Sequence, residues 1–185
     1  MNRKFKTDTL KLTKMGMLVA ISIVLVCVIH FPIFPSIPFL EYDPADVPII
    51  IGTFAFGPIE GGIITLITAL IQGTTVSASS GPYGIIMHLV STWAYVMAAG
   101  AIYSREKTKK SAVIAMCVGT VTMVVIMIFA NMVMTPLFTG MPVDAIIRMM
   151  PIIIAFNFIK AGGNSIITFF VYKKISKYLH NEETA

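Results

Sequence analysis

From Ser111 to Leu137 the chain reads SAVIAMCVGTVTMVVIMIFANMVMTPL, without one charged residue. An α-helix needs ~20 apolar residues to cross the hydrocarbon core of a bilayer. A helix also pairs its backbone groups internally, as lipid demands. Similar blocks recur along the chain, and the longest polar segments are its two ends. Only 12% of the 185 residues are charged and 56% are hydrophobic, whereas a soluble domain carries roughly 25% charged residues. The expected fold class is an all-α integral membrane protein, a single membrane domain over residues 1–185. A basic start followed by an apolar run also suits a cleaved leader, but the run is long and no small-x-small cleavage site follows it.

Candidate spans are 15–31, 46–57, 58–73, 83–103, 111–137 and 149–172. The second and third form one apolar stretch interrupted by Gly57-Pro58-Ile59-Glu60, so one kinked helix or two short ones would fit. Basic residues collect on the cytoplasmic side of membrane proteins. They occur here as Arg3, Lys4, Lys6, Lys11 and Lys14, as Arg105, Lys107, Lys109 and Lys110, and as Lys173, Lys174 and Lys177. Six spans place all three groups, twelve of the 14 basic residues, inside with both termini. Five spans would put the 105–110 loop outside, so six is the expected number. A helix of ~12 residues reaches only ~18 Å, so the two short helices must tilt, extend or be sheltered by their neighbours.

The first outward loop, PIFPSIPFLEYDPADVP, carries Glu41, Asp43 and Asp46 and no basic residue. Its acids either start the next helix or belong to an ordered cover; its apolar Ile37, Phe39 and Leu40 favour the cover. TTVSASSGPYG forms a Ser/Gly-rich turn before the fourth span. Asp144 and Arg148 have the spacing of an i,i+4 pair on a short surface helix.

Chemistry that an enzyme would need is missing. Gly52 and Gly57 have Walker A spacing, but Pro58 stands where lysine is required. No HExxH or GxSxG motif occurs; His30 and His88 read as isolated, and Cys27 and Cys117 read as buried packing residues. The chain is expected to bind rather than transform, with no catalytic residue, metal, cofactor or nucleic-acid partner.

Polar residues inside the spans are few and therefore informative. Asn157, Lys160 and Asn164 share one helical face. Lys160 lies about eleven residues from either end of its span, ~16 Å along the axis, too deep for its side chain to snorkel out. Lipid exposure of that charge would cost at least ~2.5 kcal/mol, so it should face a polar cavity. Asn131 on the fifth span can point at the same cavity. No acid in a neighbouring span is available to neutralise Lys160; Glu60, the nearest candidate, belongs to a cytoplasmic turn. Asn164, beside Gly162-Gly163, has a second explanation as helix–helix glue. Gly16-xxx-Ala20 permits close approach of another helix, and Gly57-xxx-Gly61 reads as structural.

Six short spans, a basic N-terminus, FLEYDPADVPIIIGTFAFGPIEGG, GPYGIIMH and FNFIK together resemble the substrate-binding (S) components of energy-coupling factor transporters, riboflavin-specific branch. The resemblance covers Lys14 to Lys177. It implies capture of riboflavin from outside the cell for uptake across a prokaryotic cell membrane. The partners it implies are a transmembrane coupling subunit and two cytoplasmic ATPase subunits, which would hydrolyse the ATP. By resemblance, Asn131, Asn157, Lys160 and Asn164 bind the ligand, Leu40 and Gly84 close over it, and Gly16 and Ala20 meet the coupling subunit. Gly16 replaces an alanine of the family pattern, and His88 stands where asparagine is expected. Alternatives are an S component for another small vitamin or precursor, a membrane assembly subunit, or a small membrane enzyme.

Overall fold

The computed structural model describes residues 2–35, 37 and 40–180; Phe39 lies outside the described residues. Six helices follow in order: α1 (Asn2–Val28), α2 (Asp46–Phe56), α3 (Pro58–Thr74), α4 (Gly81–Tyr103), α5 (Lys109–Thr139) and α6 (Val143–His180). Four carry segments long and apolar enough to cross a membrane: Thr9–Val28, Gly81–Tyr103, Lys109–Thr139 and Val143–Tyr172. The helices on α5 and α6 are longer than the apolar blocks suggested. In particular, the stretch holding Asp144 and Arg148 forms the first two turns of α6 and not a separate surface helix.

The break at Gly57 makes two helices of the second block. Gly57 adopts φ 121°, a conformation that glycine reaches without strain, and Pro58 opens α3 at its first turn. The Gly57-xxx-Gly61 spacing is structural, as expected: a Cβ at Gly61 would lie 2.1 Å from Thr53 Oγ1. Closeness at this corner lets α3 fold back on α2.

The 11 residues of α2 are too few to span on their own. It survives because α1, α3, α4 and α6 all pack against it, and every residue from Asp46 to Phe54 is buried. The other helices follow in series, α1 against α3, α3 against α4, α4 against α5 and α5 against α6. Lipid-facing positions of α5 stay apolar, among them Val121, Phe129, Val133 and Leu137. Cys27 and Cys117 join this outer surface. That corrects the expectation that they pack inside: in a bilayer, apolar character no longer sorts residues inward, since lipid tails solvate them equally well.

The one β feature among the described residues is a two-residue ribbon in the first outward loop. Phe31 pairs with Tyr42 and Pro32 with Glu41, antiparallel. Beyond it, Ile37 and Leu40 pack with Ile146, Ile153 and Phe156 of α6. The loop is thus a folded cover fixed to one helix.

Candidate functional site

One cavity lies among α3, α4, α5 and α6 beneath this loop, with ≈ 780 Å³ of space when its open mouth is included. The α5–α6 wall contributes Asn131, Asn157 and Lys160, with Met123, Met127 and Phe156 between them. The α3–α4 wall contributes Gln72, Met87, His88 and Ser91, and the rim carries Leu40, Tyr83 and Gly84. An apolar hollow with a few convergent polar groups is the usual form of a small-molecule site.

Most of the expected site residues therefore meet. Asn131, Asn157 and Lys160 share the cavity with Leu40 and Gly84. Asn164 is completely buried but does not line it. Its amide nitrogen donates to the Asp43 carbonyl at 3.2 Å and to Asp46 Oδ2 at 3.3 Å, while its Oδ1 accepts from the Tyr42 hydroxyl at 3.0 Å.

Lys160 is not without a counter-ion. Its Nζ donates to Asp43 Oδ2 at 2.8 Å, and Asp43 comes from the outward loop, not from a span. The expectation of an unneutralised lysine fails because the loop dips into the bundle and carries its acid to the lysine's depth. Glu60 instead pairs with Lys11. Burial alone would push the Asp43 carboxyl up; the Lys160 ammonium, helped by the Ala45 N–H, outweighs it and holds the carboxyl below its ordinary range. Nor are the histidines isolated. His30 Nε2 lies 2.7 Å from Glu41 Oε2, and His88 Nε2 lies 3.6 Å from Asp46 Oδ1. That Asp46 oxygen already accepts from the Thr92 hydroxyl at 2.9 Å.

The two asparagines on the wall are held by their own helices. Asn131 Nδ2 donates to the Met127 carbonyl and Asn157 Nδ2 to that of Ile153, each at 2.8 Å. Asn131 Oδ1 accepts from Thr135, whose hydroxyl also pairs with Tyr83 at 2.9 Å. Among the described residues none bonds Asn157 Oδ1. Each carboxamide is thus fixed in orientation, with hydrogen-bonding capacity left over.

Sequence reasoning missed Gln72, Tyr83 and Asp43 as members of this site. The signal for Gln72 was available, since it is an uncharged polar residue at the end of an apolar span. Asp43 carried none, because its role depends on how deep the loop sits.

On the lipid-facing side of α1, Gly16 and Ala20 are exposed, and nothing lies within 4 Å of a Cβ built on Gly16.

Comparison with known proteins followed the same lines. The family model described as ECF transporter, substrate-specific component, matches residues 10–172. The riboflavin transporter RibU of Staphylococcus aureus (strain TCH60) is 29% identical over 177 residues, covering 91% of this chain and 92% of its own length. The riboflavin transporter FmnP of Bacillus subtilis (strain 168) is 24% identical over 185 residues, with 95% and 96% covered. A solved structure of the S component of a bacterial ECF transporter superposes with a TM-score of 0.81 at 28% identity, covering 94% of this chain and 99% of that one.

Proposed function

Since this chain belongs to the substrate-specific components of ECF transporters, we propose that its cavity captures riboflavin for ATP-driven uptake. The carrying observation is the pairing of fixed carboxamides with apolar walls in one cavity. Asn131 and Asn157 are pinned through their Nδ2 atoms, which presents amide edges of set orientation to a ligand. The pyrimidine edge of riboflavin alternates acceptors with an N–H donor and complements such edges. Lys160 donates one N–H to Asp43 and has others to offer a ring carbonyl. Met123, Met127 and Phe156 supply the soft apolar surface that a dimethylbenzene ring needs. The names of the two relatives point to the same ligand.

Leu40 and Gly84 stand at the rim, where they would contact the bound flavin. Asn164 acts from behind the wall, holding Asp43 and Asp46 in place. ATP hydrolysis belongs to two cytoplasmic ATPase subunits reached through a transmembrane coupling subunit. The exposed Gly16 and Ala20 of α1 offer that subunit a flat surface for helix packing.

Protein purified in detergent from flavin-replete cells should carry flavin absorbance, removable by dialysis. Flavin-free preparations should take up added riboflavin with loss of its fluorescence. Folded protein that neither retains nor takes up the flavin would refute the reading.

A further inference from the structure

Thr53, Thr65 and Thr120 are buried in their helices, and each hydroxyl donates to the backbone carbonyl four residues back. That is a common way to satisfy a hydroxyl within a helix. Thr135 on α5 is as deeply buried but is bonded differently. Its hydroxyl donates to the side chain four residues back, Asn131 Oδ1, at 3.0 Å. The same hydroxyl lies 2.9 Å from that of Tyr83, on the first turn of α4. The Tyr83 ring rests against Phe138 near the outer end of α5, with ring centroids 5.4 Å apart. Asn131 and Tyr83 line the cavity, whereas Thr135 stands behind its wall.

Counting protons gives these bonds one direction. The Met127 carbonyl can only accept, so it takes Asn131 Nδ2, at 2.8 Å, and leaves Oδ1 toward Thr135. A carboxamide oxygen also only accepts, so Thr135 commits its single proton there. Between Thr135 and Tyr83 the proton must then come from Tyr83. The chain of donors therefore runs from Tyr83 to Thr135, to Asn131 and on to the Met127 carbonyl. Asn131 is gripped at both ends of its carboxamide, and one N–H and one lone pair remain free. Asn157, in the same cavity, is gripped at its nitrogen by the Ile153 carbonyl, and no described residue bonds its oxygen.

We propose that Thr135 and Tyr83 are positioning residues for flavin binding, acting through Asn131. This assignment rests on the riboflavin reading above. A carboxamide held at one end can swing about that bond. The Thr135 hydroxyl holds the other end and so fixes the plane in which the free Asn131 N–H meets the ligand. Tyr83 acts one step further back, holding the Thr135 hydroxyl turned toward Asn131. A group fixed before the ligand arrives loses little torsional freedom on binding, and affinity gains accordingly.

The test is a double-mutant cycle on purified, flavin-free protein, read by loss of riboflavin fluorescence, with ligand-free melting recorded for each variant. Thr135→Val removes the hydroxyl at nearly constant shape, and Asn131→Leu removes the carboxamide through which it acts. Thr135→Val should weaken riboflavin binding about tenfold in the wild-type background and less than about twofold beside Asn131→Leu. Thr135→Ser, which keeps the hydroxyl, should stay within about twofold of wild type. Tyr83→Phe keeps the ring against Phe138 and should weaken binding about threefold, again with no further loss beside Asn131→Leu. That second arm decides the matter if Thr135→Val does not fold. Unchanged affinity in both single variants, equal loss in the two backgrounds, or Thr135→Ser as weak as Thr135→Val overturns the assignment. Undiminished binding by Asn131→Leu overturns it while leaving riboflavin capture intact. Folded wild type that binds no riboflavin overturns riboflavin capture and the assignment with it.

Discussion

Asn157 and Asn164 lie on the same face of α6, two turns apart around Lys160, yet they serve opposite ends. Around Asn164 the polar groups close on one another: Asp43, Asp46, Tyr42 and Thr92 use its donors and acceptors or each other's. Around Asn157 they stay open: among the described residues none bonds its Oδ1, and Gln72, which lines the same cavity, has no hydrogen-bond partner for its Oε1. One cluster nails the outward loop and α2 to α6; the other keeps hydrogen-bonding capacity in the lining of the cavity. In a membrane protein, residue type does not distinguish architecture from recognition, whereas the roster of hydrogen-bond partners does.

Breaking the closed cluster should have the largest effect on the fold. Asp43→Ala strips Lys160 of its counter-ion and should cost about 3–5 kcal/mol, the usual penalty for orphaning one member of a buried pair. It should appear as a marked fall in melting temperature in detergent. A variant that melts like wild type would show the pair to be dispensable. Lys160→Met should be similarly damaging, so loss of ligand binding in that variant alone says little about contact with the ligand. The double variant Asp43→Asn, Lys160→Met should lose less stability than the two single changes together, since neither charge is then stranded.

The open cluster should respond the other way round. Asn157→Leu gives up one bond to a carbonyl within its own helix, so melting without ligand should move little. Riboflavin affinity should fall about tenfold or more, as expected for loss of a buried hydrogen bond to ligand. A large loss of stability with unaltered affinity would place Asn157 in the closed cluster after all. Smallest of all in the isolated protein should be the effect of Gly16→Trp or Ala20→Trp on the exposed face of α1. Binding and melting should stay as in wild type while uptake in cells with the partner subunits falls. Joint loss of binding and uptake would make that face part of the fold.

The helices were legible in the sequence because lipid imposes length and apolarity on each span, and the basic loops fixed their number. The α5–α6 wall was legible too, through helical spacing around Lys160. The partner of Lys160 was not, because Asp43 is 117 residues away in a loop whose depth only tertiary packing decides. The same loop made His30 and His88 look solitary, since Glu41 and Asp46 reach them from it. Asn164 had two readings, wall or glue, and spacing could not separate them; its three hydrogen bonds, two to the loop and one to the first residue of α2, do.

The most direct test of the account is calorimetric titration of purified, flavin-free wild type with riboflavin, set beside thiamine and biotin under the same conditions. The account predicts saturable binding of one riboflavin per chain and no heat of binding with the other two vitamins. Cooperative melting of the same preparation together with no riboflavin binding, or with tighter binding of another vitamin, would contradict it.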